Sequence, residues 1–316
     1  MRSRLLRLFA IAAAAIASAS AAETFSAYYI GNSLSNDMYN AFRKFASDYQ
    51  AARGGTYSWG FHFRNGTGLT WMFENPTPPP APDGKIDFTR SAIGLDATSH
   101  GPASNLVPWP VALPGNHWDV VTMQPARDSK GPTNLATDMA AMNAMIAAAK
   151  TRPDNASTRF YVYAAWPPVE YGDPASYQRL YLAPAHDGSL PTRKFIADLA
   201  DSVRKTNPSV AVIPVGEVLF ALDEKMRAGK FEGFTSIQQL HRDAVHLNSV
   251  GENVAAWTAF ATFFKKSPVG LPNETRGNGT VAPFTNVTAL SAPDLQLMQQ
   301  TIWDVVKQQG KYTNVP

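Results

Sequence analysis

Asp243 and His246 stand three residues apart in "HRDAVHLNSVGENVAAW", a segment leading into a helical pattern that begins near Ser249. A carboxylate three positions ahead of a histidine, on a loop, can accept the proton of one ring nitrogen and leave the other facing outward as a base. Such a pair needs a nucleophile to activate. Ser33 can supply it. In "YYIGNSLSNDMYNAF" a strand-like apolar run stops at Gly31-Asn32-Ser33 and helical spacing starts at once. A side chain there lies where the helix presents its free N–H groups and positive dipole end to a developing oxyanion. Serine is also a good helix cap, so two readings stand: Ser33 or Ser35 only caps the helix, or Ser33 reacts while Ser35 or Asn36 caps.

Other constellations carry less. His241 and His246 are five apart, a spacing that does not align two rings on one helical face, and no third ligand is evident, so no metal site is expected. No Gly-x-Ser-x-Gly elbow occurs, which leaves the usual α/β-hydrolase pattern unsupported. Ser202 and Lys205 form a Ser-x-x-Lys pair, but inside an amphipathic helical pattern that reads as an exposed face.

The elements that would position these residues alternate. Strand-like segments fall at about 24–30, 57–63, 119–123, 159–165 and 209–215, several of them near-continuous apolar runs suited to strands buried on both faces. Helical patterns lie in "NDMYNAFRKFASDYQAAR", "TNLATDMAAMNAMIAAAKTR", "TRKFIADLADSVRKTN", "SVGENVAAWTAFATFFKK" and "SAPDLQLMQQTIWDVVKQQG". The last opens with Ser291 three residues ahead of Asp294 and with Pro293 in its first turn, a helix start. Alternation of this kind predicts an α/β, doubly wound sheet whose ligands sit beyond the carboxyl ends of the strands.

Two stretches break the rhythm. Residues 75 to 118 contain "NPTPPPAPDG" and a Gly/Pro-punctuated run, which reads as an insertion near the site or as a solvated Pro-rich linker. Residues 268 to 291 read as a surface excursion.

The 316 residues, 45% hydrophobic and 17% charged, suit one compact domain. The first 22, "MRSRLLRLFAIAAAAIASASAA", run from a basic start through a short apolar stretch to small residues, as a secretory signal does, with cleavage after Ala19 or Ala22. The apolar run is too short for a membrane anchor. Of 28 basic residues three lie in this leader, leaving 25 against 25 acidic ones. A near-neutral remainder without a basic run gives no footprint for nucleic acid. With no cysteine, an exported protein has no disulfides and depends on its core. A secreted or periplasmic location is expected, and oligomeric state is not readable.

Together, "IGNSLS" after a first strand and "DAVHLNSVG" near the last helices resemble the SGNH/GDSL hydrolase superfamily. The resemblance implies a flavodoxin-like, three-layer fold with about five parallel strands, and a serine esterase with Ser33, His246 and Asp243 as its triad and no cofactor. It also implies an oxyanion hole made by the Ser33 N–H, a glycine after the second strand (Gly66 or Gly68 in "FRNGTGLTW"), and an Asn from a Gly-x-Asn-Asp block. That last block is absent. "PGNHWD" imitates it but precedes the strand, so the residue leaving that strand, Gln124, is the expected substitute. Among exported relatives of this size the resemblance points to O-acetyl esters of carbohydrates. Trp71, Trp166 and Tyr171 are the expected sugar contacts, while Trp109 and Trp118 are further aromatic candidates. Alternatives are a lipase or arylesterase, or a polysaccharide-binding acyltransferase relative.

Overall fold

The computed structural model describes residues 24–76, 89–95, 107–125, 134–183, 192–273 and 289–316. The leader and most of the Pro-rich stretch lie outside them. Along the chain run β1 (Thr24–Gly31), α1 (Ser33–Ala51), β2 (Thr56–Arg64), α2 (Leu69–Glu74), β3 (Thr89–Leu95), α3 (Trp109–Gly115), β4 (Val120–Met123), α4 (Leu135–Lys150) and β5 (Arg159–Tyr163). There follow α5 (Ser176–Leu182), α6 (Thr192–Arg204), β6 (Ala211–Ile213), α7 (Val215–Arg227), α8 (Ser249–Phe264) and α9 (Ala292–Gln308).

The strands form one sheet in the order β3-β2-β1-β4-β5-β6. The five strands from β2 to β6 in that order are parallel, and their sequence along the sheet is the flavodoxin-like 2-1-3-4-5. The expected five parallel strands are present, and β3 adds a sixth. It comes from the Pro-rich stretch and adds to the edge antiparallel to β2, Ser58 opposite Leu95 and Arg64 opposite Thr89.

Strand side chains alternate between the two faces, which is why the buried strands read as unbroken apolar runs. Along β1, Ala27 and Tyr29 pack with Phe42 of α1, Val254 of α8 and Ile302 of α9. Tyr28 and Ile30 pack on the opposite face with Leu113 of α3, Met142 of α4 and Leu199 of α6. The helices following β1 and β4 thus cover opposite faces. The change of side occurs between β1 and β4, and the crevice it opens at their carboxyl ends receives the Ser33 turn from β1 and Gln124 from β4.

Candidate active site

Asn32 makes the turn on which Ser33 sits. Its backbone is extended (φ −115°, ψ −157°), and its Oδ1 accepts the N–H of Leu34 at 2.9 Å, the geometry of a helix N-cap. Capping therefore belongs to Asn32 and not to Ser35 or Asn36, and Ser33 is the first residue of α1. Asn32 Nδ2 also donates to the Thr67 carbonyl at 3.1 Å, tying the turn to the loop after β2. Gly31 is there for space: a Cβ would lie 2.2 Å from Ser35 Oγ and 2.7 Å from Gln124 Oε1.

Ser33 Oγ lies 2.8 Å from His246 Nε2, and His246 Nδ1 lies 2.9 Å from Asp243 Oδ2 and 3.1 Å from Oδ1. The three side chains are brought together across 213 residues of chain. With the Nδ1 proton donated to the carboxylate, Nε2 is left as the acceptor for the serine hydroxyl. Asp243 Oδ1 also takes the N–H groups of Val245 (2.8 Å) and His246 (2.7 Å). Partial burial works to raise the Asp243 carboxyl, but these N–H groups and the imidazole outweigh it and hold the pKa below the ordinary value. The His246 imidazole thus faces a fixed negative charge.

Local order in the carrier loop follows from its own sequence. Arg242 N–H donates to the His246 carbonyl (2.9 Å), His241 pairs with Leu247 in an isolated bridge, and Asn248 caps α8 by accepting from Val250 (3.0 Å) and Gly251 (3.1 Å). His241 is buried, its Nδ1 against the Ile237 carbonyl at 3.0 Å, and takes no part in the pair.

Gln124 reaches the turn, though with its amide turned to other work. Its Oε1 accepts from Ser35 Oγ (2.6 Å), Ser35 N–H (3.0 Å) and Asn32 N–H (3.2 Å), and its Nε2 donates to Asn32 Oδ1 (2.7 Å). It braces the Ser33 turn from behind. Of the first N–H groups of α1, those of Leu34, Ser35 and Asn36 are taken by Asn32 Oδ1, Gln124 Oε1 and the Asn32 carbonyl. The Ser33 N–H has no partner among the described residues.

Gly66 and Gly68 separate. Gly66 adopts the left-handed conformation (φ +64°) in the turn after β2, with open space where a Cβ would be, and lines the cavity beside Ser33. Gly68 is the N-cap of α2, its carbonyl accepting from Met72, and does not line the cavity. Asn65, beside Gly66, is exposed and lines the same cavity. Sequence reasoning does not single out Asn65; its place directly after the carboxyl end of β2 is the available signal.

The cavity measures about 480 Å³. Leu34, Pro125, Trp166, Pro167, Phe195 and Ile196 give it a largely apolar wall. Trp166 is there, but buried, its Nε1 donating to the Val245 carbonyl at 2.8 Å, so that the ring anchors the loop before His246. Trp71 and Tyr171 do not line it: the Arg64 guanidinium covers Trp71 at 3.6 Å from the ring centroid, and Tyr171 is exposed elsewhere. Trp109 and Trp118 are core residues, their indole N–H groups on the carbonyls of Met72 and Ala112.

No family model matches the chain, and no curated protein matches it. Among solved structures it is similar to a DUF4886 family protein from Bacteroides uniformis, at 16% identity and a TM-score of 0.55, over 90% of this chain and 95% of that one. The two share a fold. Weaker likenesses are to a GDSL-like lipase from Bacteroides thetaiotaomicron (13% identity, TM-score 0.38, 76% of this chain and 88% of that one) and to a carbohydrate esterase family 2 enzyme with a carbohydrate binding domain from Corynascus (13%, 0.37, 78% and 68%). Likeness at that level carries no statement about activity.

Proposed function

We propose that the protein is an exported serine ester hydrolase of the SGNH/GDSL type. The observation that carries the reading is the line from Ser33 Oγ to His246 Nε2 (2.8 Å) with Asp243 behind it. In it, Ser33 Oγ attacks the ester carbonyl carbon as its proton passes to His246 Nε2. Collapse of the tetrahedral intermediate expels the alcohol, which takes that proton, and leaves an acyl group on Ser33. Water then attacks the acyl carbon as His246 Nε2 takes its proton; collapse breaks the bond to Ser33 Oγ, which receives that proton, and the carboxylic acid leaves. Asp243 fixes the imidazole tautomer and stabilises its charged form. The oxyanion is held by the N–H groups of Ser33 and Gly66 and by the Asn65 amide, while Gln124, its own amide spent on Asn32, positions the turn.

As to substrate, the apolar cavity wall favours an ester with an apolar acyl group over an O-acetylated sugar, because Trp71 and Tyr171 offer no stacking face beside Ser33. The O-acetyl carbohydrate reading stays as the second, supported by the sequence resemblance. The leader-like first 22 residues support export.

Hydrolysis of p-nitrophenyl esters of increasing chain length, compared with acetate release from acetylated xylan, separates the two, and an added sugar acceptor reveals acyl transfer. Loss of all turnover in Ser33→Ala is expected. Full activity in that variant would end the reading.

A further inference from the structure

The loop that carries Asp243 and His246 begins at Arg242 and ends at Leu247, and one buried carboxylate holds both ends. Asp37 Oδ1 accepts from Arg242 Nη2 at 2.9 Å, and Asp37 Oδ2 accepts the N–H of Leu247 at 2.9 Å. Asp37 belongs to α1, four residues after Ser33 and so one turn along the same face of the helix. The nucleophile and the anchor of its base thus ride on one rigid element. Arg242 completes the arrangement: its Nη1 donates to Glu252 Oε1 of α8 at 3.0 Å and to the Leu247 carbonyl, closing the loop on itself.

The cluster is an expensive way to gain stability. Asp37 and Glu252 are buried to 0% and 1% exposure and share one guanidinium. Burial pushes the Asp37 carboxyl upward, Arg242 and the Leu247 N–H pull it down, and Glu252 adds to the upward push. Both Asp37 oxygens nevertheless meet donors, so the geometry fits the carboxylate, since a protonated Asp37 would set an O–H against one of them. Apolar side chains of similar volume often stabilise as well as a buried ionic group does. What such a group supplies is direction, and here it is applied on both sides of the catalytic pair.

We propose that Asp37, Arg242 and Glu252 form a positioning clamp that fixes the catalytic loop against the nucleophile helix and so sets the Ser33 to His246 separation. The clamp acts through His246 and touches no substrate. It rests on the esterase reading given above, and the experiment keeps the two apart. A short-chain alkyl fluorophosphonate, which reacts with an activated serine hydroxyl, is applied to the full protein, to Ser33→Ala, and to Asp37→Asn and Arg242→Lys. Asparagine keeps the shape without the charge. Lysine keeps the charge but cannot span Asp37, Glu252 and the Leu247 carbonyl as a planar fork does.

In variants folded by far-ultraviolet circular dichroism and melting, the maximal rate of Ser33 labelling is expected to fall about 10²-fold, the scale of a roughly 1 Å misplacement. The half-saturating probe concentration stays near the wild-type value, a split that a general loosening of the cavity would not give. Wild-type labelling rates in folded Asp37→Asn and Arg242→Lys would overturn the clamp while leaving the esterase reading intact. Variants that cannot fold would assign the cluster to stability and overturn it too. A wild-type protein unlabelled at Ser33 would remove the esterase reading and the clamp with it.

Discussion

Gln124 Nε2 donates to Asn32 Oδ1 at 2.7 Å while Gln124 Oε1 takes the hydroxyl and N–H of Ser35. One amide therefore joins the end of β4 to the turn that holds Ser33, satisfying three buried donors and one buried acceptor. Gln124→Met keeps the volume and removes every one of these bonds. Leaving buried donors unpaired costs roughly 1–3 kcal/mol each where the structure cannot relax, so an overall loss of about 3 kcal/mol in urea unfolding is expected. Ester turnover should fall with it, since the turn no longer holds Ser33 in line with His246. An unchanged unfolding midpoint would show that the brace is dispensable.

Asn65 is the second position at which chemistry and placement meet. It lines the cavity with Gly66 and Ser33, and Asn32 and Gln124, the other amides there, donate to Thr67 and Asn32. Removing one oxyanion donor typically costs 10²–10³ in turnover. Asn65→Ala is expected to lower kcat by about 10²-fold with little change in thermal stability, because the side chain is exposed. A steady-state comparison of the two proteins checks it, and an effect confined to KM would instead make Asn65 a substrate contact.

The contrast between these two residues shows what the chain made legible. The parallel sheet was readable because strands buried on both faces become uniform apolar runs, and the order of elements follows from their alternation with helices. Ser33 and the Asp243/His246 pair could be picked out because each lies at a strand or helix end. β3 is hidden: it lies inside a Pro-rich stretch, and its sequence, TRSAIGL, is not a continuous apolar run. α7 is not legible either, because Val215–Arg227 follows β6 with a single residue, Pro214, between them. Gln124 is legible as the residue at the end of β4, but its partner is not, since sequence does not say where an amide points. Asp37 and Arg242 lie 205 residues apart, and nothing local to either announces the other.

Acid should weaken the fold through its buried imidazoles. His62, in β2, is buried and accepts the Trp109 N–H at Nδ1. Burial, with the neighbouring charge of Arg64, lowers its pKa from 6.5 to about 4. The unfolded chain thus binds a proton between about pH 6.5 and 4 that the folded protein does not, so stability is complete above that window and is lost as pH falls through it. At 1.36 kcal/mol per unit the loss is about 3 kcal/mol. His62→Gln removes this proton, so the difference in unfolding free energy between wild type and variant should shift by about that amount across the window. His241, lowered to about 4 by its own burial, contributes the same acid slope to both proteins and cancels from the comparison.

The cavity wall makes a prediction about chain length. A buried methylene is worth about 0.8 kcal/mol, so while the cavity has room, lengthening the acyl group by two carbons should raise kcat/KM by roughly tenfold. Phe195 and Ile196 enter the wall from the first turns of α6. Ile196→Trp fills the space that longer acyl groups need, and the ratio of kcat/KM for hexanoate over acetate esters should drop toward one. A single series of p-nitrophenyl esters on both proteins measures it. A wild-type series that peaks at acetate would mean that the apolar wall does not receive the acyl group and would return the substrate to an acetylated carbohydrate.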